Sequence, residues 1–279
     1  MIEFNSWGPA VLESCYRAAD AILEVYEGHK EINVEVKSDN SPVTAADHAA
    51  HALLDPVLSA TGFPVLSEEG RSIPYEERRN WNTFWVVDPL DGTKEFIKRN
   101  GEFTVNVALV HQGEPIFGIV YAPVLGWLYV GGEGLGARKS MVRVGWDELW
   151  THAQQLPARL PESVTVVASR SHANPETEAL IARWESAHGS IERVSMGSSL
   201  KIGLVAEGRA HAYPRAAPTM EWDTAAGHAV LRGAGMELYE LIPDSKLGFR
   251  RGTPLKYNKE NLLNPPFLAC AAPYLCGDA

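Results

Sequence analysis

Only three cysteines occur in the 279 residues, Cys15, Cys270 and Cys276, and none forms a CxxC pair. That excludes a disulfide-stapled miniature fold and a thiolate zinc knuckle, and leads to an expectation of free thiols in a reducing compartment. Runs of five or more like charges are also missing, and the longest cationic feature is Lys98-Arg99. With a formal net charge of −10 and a pI near 5.4, the chain offers no nucleic-acid surface, because a polyanion would meet net repulsion. No stretch supplies the ~18 consecutive apolar residues of a membrane span. The opening MIEFNSWGPAVLES lacks the basic start and continuous apolar core of a signal peptide. The expected compartment is therefore the cytoplasm, with peripheral attachment to the inner face of the cell membrane left open. Of the nine histidines none makes an HExxH pair, no serine sits in a GxSxG elbow, and there is no Walker loop. GGEGLG (131–136) has the wrong spacing for a dinucleotide fingerprint and reads as a hairpin loop.

What is present is a hydrophobic fraction of 45%, enough for one large domain or two compact lobes sharing a core. Val11, Cys15, Ala18, Ala19, Ile22 and Val25 recur at helical spacing and predict an amphipathic helix over 9–28 with a glycine stop at Gly28. A second helix is expected from about Ser41-Pro42 to Ala60, opened by a Thr44/Asp47 capping box. From Thr83 to Val130 the pattern is strand: FWVVD, FTVNVALVH, PIFGIVYAP and WLYVGG, separated by turn residues. Beyond a segment without clear signal (138–161), strand VTVVAS, a helix over Pro175 to His188, a strand near Ile191 to Ser195 and a helix from Ser199 to Glu207 follow. AHAYPR then reads as strand, WDTAAGHAVLRGAG as helix and MELYELI as strand. Blocks of strands and helices on both sides of residue 160, without a repeat period, predict two layered lobes, 1–160 and 161–279, with the site between them.

The acids at element edges are Asp47, Glu68, Glu69, Asp88, Asp91 and Asp223. In FWVVDPLDGTKEF (84–96), Asp88 and Asp91 bracket a Pro-Leu pair, which fits an ordinary proline turn. The same spacing fits a metal loop, since hard divalent cations take oxygen ligands, usually one or two carboxylates per ion, and Leu90 adds a carbonyl. Gly92-Thr93 opens a short helical segment whose free N–H groups favour a phosphate. Each acid also has a plain structural reading: Asp47 as a helix cap, Glu68-Glu69 as a solvated pair, Asp223 as first-turn dipole compensation.

Jointly, DPLDGT (88–93) and WDTAAGHAV (222–230) resemble the lithium-sensitive inositol monophosphatase superfamily. SDNSPVTAAD (38–47), LSEEG (66–70), SRSH (169–172), GSSLKIGLVAEG (197–208) and YPR (213–215) extend the resemblance over most of the chain. KEFIKRNGEFTVN (94–106) is most similar to the CysQ-type 3'(2'),5'-bisphosphate nucleotidase branch. The resemblance implies a layered αβαβα sandwich, an α+β fold of mixed, largely antiparallel sheets between helix layers. It also implies two or three Mg²⁺ ions held by Glu68, Asp88, Asp91, Asp223 and the Leu90 carbonyl. Asp47 is expected to accept a hydrogen bond from Thr93, whose hydroxyl orients the attacking water; Gly92 and Thr93 would meet the phosphate. The implied substrate is 3'-phosphoadenosine 5'-phosphate, or its sulfated analogue, from sulfur metabolism, contacted by His172, Ser198, Lys201 and Arg215. The rivals are an inositol or fructose bisphosphate phosphatase and a catalytically idle nucleotide sensor.

Overall fold

The computed structural model describes residues 4–28, 34–36, 42–168, 174–245 and 247–271, with only the backbone for 34–36 and 42–44. Two sheets carry the architecture. The first has seven strands in the order Val65–Ser67, Thr83–Asp91, Thr104–His111, Glu114–Ala122, Trp127–Gly132, Gly136–Ser140 and Gln154–Leu156. Only its first pair is parallel. The second has six, in the order Glu192–Ser195, Thr165–Ala168, Ala212–Arg215, Phe267–Cys270, Glu237–Asp244 and Gly248–Pro254. Its first two pairings are parallel and the rest antiparallel.

Alternation along the strands sorts side chains onto opposite faces of the first sheet. Trp85, Val87, Val105, Val107, Phe117 and Ile119 pack against the helices Phe4–Tyr26 and Ala45–Ser59. Phe84, Val86, Ala108, Val110 and Val120 instead meet the helices Leu200–Glu207 and Glu221–Gly233. Those two helices are sandwiched, because Val167, Tyr213, Leu238, Phe267 and Ala269 of the second sheet close the same core from the other side. The helix Pro175–His188 covers the outer face through Leu180, Ile181 and Trp184. The layers are therefore αβαβα with mostly antiparallel mixed sheets, as expected.

Several local expectations change. The first helix begins at Phe4 rather than near Pro9, because Trp7 packs edge-on against Trp85 and Phe117 at 5.0 and 5.1 Å and that burial overrides the proline signal. The second begins at Ala45, with Pro42–Thr44 pairing instead as a short strand with Val34–Val36; the Thr44 side chain needed for a capping box lies outside the described residues. The Asp88–Asp91 segment is no free turn. It is the end of the Thr83–Asp91 strand, with a bulge between Asp88 (opposite Asn106) and Asp91 (opposite Thr104). Pro89 has no N–H to give the ladder, so pairing slips there. Residues 138–161 hold the end of the Gly136–Ser140 strand, the helix Trp146–His152 and the edge strand Gln154–Leu156. Cys15 is free and buried, but Cys270 is disulfide-bonded, which corrects the free-thiol expectation for that residue. An odd cysteine total does not exclude one bridge.

The helix Glu221–Gly233 lies flush on the first sheet because glycines remove the intervening Cβ atoms. A Cβ at Gly118 would stand 2.3 Å from the Ala226 carbonyl oxygen and 2.9 Å from the Ala229 Cβ. One at Gly233 would stand 2.4 Å from the Gly136 carbonyl oxygen. Gly118→Ala is therefore expected to lower unfolding free energy by about 1–3 kcal/mol through overpacking, read from the urea midpoint. An unchanged midpoint would show that the helix does not depend on this close approach.

Candidate active site

Three carboxylates from three elements converge. Glu68 follows the Val65–Ser67 strand and donates its N–H to the Val87 carbonyl at 3.1 Å. Asp88 lies at the strand bulge, and Asp223 in the first turn of the Glu221–Gly233 helix. Each offers an oxygen, and the three oxygens lie within 4.8 Å of one another. At an effective dielectric of about 20, two unit charges about 5 Å apart repel by roughly 3 kcal/mol, so three such pairs cannot all stay ionised without a proton or cation. Burial adds to the repulsion. Burial, then the charges of Glu68, Asp91, Asp223 and Asp47, hold the Asp88 carboxyl well above the usual range. Burial and then Asp91 push Asp223 up to about 8, against the Met220 N–H bonded to its carboxylate.

Asp91 stands outside this triad. Its Oδ2 accepts the Ser199 N–H at 2.5 Å and lies 2.6 Å from Ser199 Oγ, with Asn106 Nδ2 at 3.5 Å. Ser199 Oγ is also 2.7 Å from the Asp223 carbonyl and receives Asn106 Nδ2 at 2.8 Å, so one buried serine ties both aspartate elements together. Asp47 is buried in the helix Ala45–Ser59, and its charge reaches Asp88. The expected Thr93-to-Asp47 hydrogen bond is not among those formed by the described residues. Leu90 is buried and its N–H donates to Asp88 Oδ1 at 3.1 Å, holding the bulge. Gly92, at φ 91°, caps the five-residue helix Thr93–Ile97.

A cleft of about 120 Å³ opens beside the acids. Asp91, Gly92 and Asp223 line it, Lys201 and Arg215 are among its cationic groups, and Met196, Ile202, Tyr213 and Phe267 supply its apolar surface. Ser198 also lines it, in a left-handed conformation with φ 43°. That loop is seated on the first sheet's connection, since Gly197 donates its N–H to Glu102 Oε2 at 2.6 Å. Lys201 is buried; desolvation lowers its ammonium to about 8 against the field of Asp91, with Arg215 adding to the depression. Its Nζ donates to the Ser198 carbonyl at 2.8 Å and stands 5.8 Å from the centre of the Tyr213 ring. Arg215 contacts the Ala217 and Pro218 carbonyls and the Tyr213 hydroxyl only at 3.3–3.4 Å. His172 lies outside the described residues.

The chain matches the inositol monophosphatase family model over residues 8–266. It belongs to that family. It is 46% identical over 260 residues to the curated 3'(2'),5'-bisphosphate nucleotidase CysQ of Escherichia coli strain K12, covering 92% of this chain and 96% of the relative. The crystal structure of CysQ from Bacteroides thetaiotaomicron shares 49% identity at a TM-score of 0.82, over 94% and 96% of the two chains. Inositol monophosphatase II of Staphylococcus aureus MSSA476, 22% identical with a TM-score of 0.68 over 96% and 89% of the chains, shares the fold.

Reading the residues alone passed over Ser199, Asn106 and Tyr213. Asn106 left a trace: with Thr104 it places two fully buried polar residues in a strand whose other buried residues are apolar. Ser199 had none, because its role depends on Asp91 approaching from 108 positions away.

The donor set, oxygen only and short of positive charge, suits a hard divalent cation. Because Asp88 and Asp223 are raised, the folded, cation-free protein holds more protons than the unfolded chain between the ordinary value of 3.8 and about 8. Stability from these groups therefore falls as pH rises through that window. Mg²⁺ is expected to raise the thermal midpoint more at pH 8 than at pH 5, and Asp223→Asn should shrink the difference. Equal Mg²⁺ shifts at both pH values would contradict the assignment.

Proposed function

We propose that this chain is a divalent-cation-dependent phosphatase that removes the 3'-phosphate of 3'-phosphoadenosine 5'-phosphate, giving AMP and phosphate, and that it also accepts the sulfated analogue. The observation that carries the reading is a single cleft whose lining combines the carboxylates of Asp91 and Asp223 with the cations of Lys201 and Arg215 and an apolar set of side chains. A simple monophosphate needs only the carboxylates with their cations. Lys201 and Arg215 are complementary to a second anionic group, with arginine suited to two-point binding. Tyr213, Phe267, Met196 and Ile202 suit a base and sugar. The curated nucleotidase relative at 46% identity, together with the CysQ structure at 49%, each over nearly the whole chain, supports the same substrate class.

In this reading Glu68, Asp88 and Asp223, with Asp91 and the Leu90 carbonyl, hold Mg²⁺. Bound there, the ions neutralise the phosphate and lower the pKa of the attacking water. The chain's own groups do the rest. First-turn N–H groups at Gly92 and Thr93, which no helical carbonyl engages, meet the phosphate oxygens. Thr93 and Asp47 orient the water for in-line attack on phosphorus, and the P–O3' bond breaks. Ser199 fixes Asp91 beside the start of the Asp223 helix. Lys201, Arg215 and Ser198 anchor the second phosphate, and His172 contacts the nucleotide.

Phosphate release measured over a panel of this nucleotide, inositol monophosphate and fructose 1,6-bisphosphate, with and without Mg²⁺, tests the reading. Metal-dependent turnover with highest kcat/KM on the nucleotide is expected. A preference for the sugar phosphates, or no turnover, would overturn it. Arg215→Ala should raise KM for the bisphosphate about 10- to 100-fold, the loss of a charge-assisted contact of about 1.5–3 kcal/mol, with less effect on 3'-AMP. Equal effects on both substrates would remove Arg215 from the second-phosphate site.

A further inference from the structure

Residues 256–264 contribute nothing to the cleft lining, yet they hold the backbone from which Asp223 projects. Leu263–Asn264 pairs antiparallel with Thr219–Met220, and the Glu221 N–H donates to the Leu262 carbonyl at 2.9 Å. Asn264 is 4% exposed, and its Nδ2 lies 2.7 Å from the Met220 carbonyl, 3.0 Å from Thr224 Oγ1 and 3.1 Å from Thr219 Oγ1. All three acceptors flank Asp223 in sequence. Met220 is held at both ends, for its own N–H donates to Asp223 Oδ2 at 2.7 Å.

Behind this strip stands a second set of bonds. Lys259 Nζ donates to Asn264 Oδ1 at 3.1 Å and to Glu221 Oε1 at 2.7 Å. The Glu221 carboxylate, with 0% exposure, also accepts the N–H groups of Asn258 at 2.7 Å and Lys259 at 2.9 Å. The amide of Asn264 is thus fixed by a cation on one side and divides its two protons among the residues around Asp223 on the other. With Asn264 this buried, little solvent is at hand to take over those bonds, so losing them removes the side-chain ties to the Met220 carbonyl and the Thr219 and Thr224 hydroxyls and loosens the start of the helix.

We propose that Asn264 is a positioning residue for the cation site: through Met220, Thr219 and Thr224 it holds Asp223 in place beside Glu68 and Asp88 despite their mutual repulsion. This rests on Asp223 being a cation ligand. Groups that orient a metal ligand from behind commonly change metal affinity about 10- to 100-fold when removed.

The test is calorimetric titration of Mn²⁺ into substrate-free protein, with thermal melts alongside, for the wild type, Asn264→Ala, Asn264→Ser and the exposed control Asn82→Ala, which lies outside this segment. Asn264→Ala is expected to keep a cooperative melt and to weaken Mn²⁺ binding at least about tenfold, Asn264→Ser less so, and Asn82→Ala not at all. Unchanged Mn²⁺ affinity in Asn264→Ala, whatever its melting temperature, would overturn the positioning role and leave a merely structural one. If Asn264→Ala does not fold, Asn264→Ser is decided by whether its affinity falls measurably below that of the control. A wild type that binds no Mn²⁺ would overturn the cation-ligand reading itself, and the positioning role with it.

Discussion

Mutual repulsion among three carboxylates held within 4.8 Å is the constraint to which the surrounding structure answers. Left to themselves Glu68, Asp88 and Asp223 would move apart or take up protons, and burial raises the energy of their charged forms further. Each is held by backbone geometry instead. A parallel strand pair delivers Glu68, a proline bulge sets Asp88, and a helix start carries Asp223. None of the three elements could make the cluster alone.

The layered fold supplies the rigidity this requires. The Asp223 helix lies between two sheets and comes so close to the first that glycines must stand at Gly118 and Gly233. Ser199 joins that helix start to the Asp91 bulge, and Gly197 seats the same loop on Glu102. The cleft therefore forms where the two sheets' connections meet, with Asp91 and Asp223 and the cations Lys201 and Arg215 in one lining. For a chain of net charge −10, these two cations in the cleft are a specific feature rather than an overflow of basic residues.

Much of this was legible from residue order. Alternation in Thr83 to Val130 predicted the strands, and the helix over Pro175 to His188 was found at its observed bounds, with Asn174 capping it from the side chain. The acids could be picked out because they stood at element edges. Less legible was whatever depended on distant partners. The early start of the first helix comes from aromatic packing on Trp85 and Phe117, which no local pattern encodes. The strand Phe267–Cys270 inserts between Ala212–Arg215 and Glu237–Asp244, far from its sequence neighbours, so the C-terminal region had no readable role. Asn264 was silent for the same reason: a lone asparagine acquires meaning only once its acceptors on Thr219, Met220 and Thr224 are assembled around it.

The central claim is that the carboxylate cluster exchanges protons for a divalent cation. It is tested most directly by titrating Mg²⁺ into cation-free wild-type protein in pairs of buffers that differ in ionisation enthalpy, which counts the protons expelled on binding. Binding should release protons at pH 6, where Asp223 still holds one, and fewer at pH 9. Binding at pH 6 without proton release, or no binding at either pH, would contradict it.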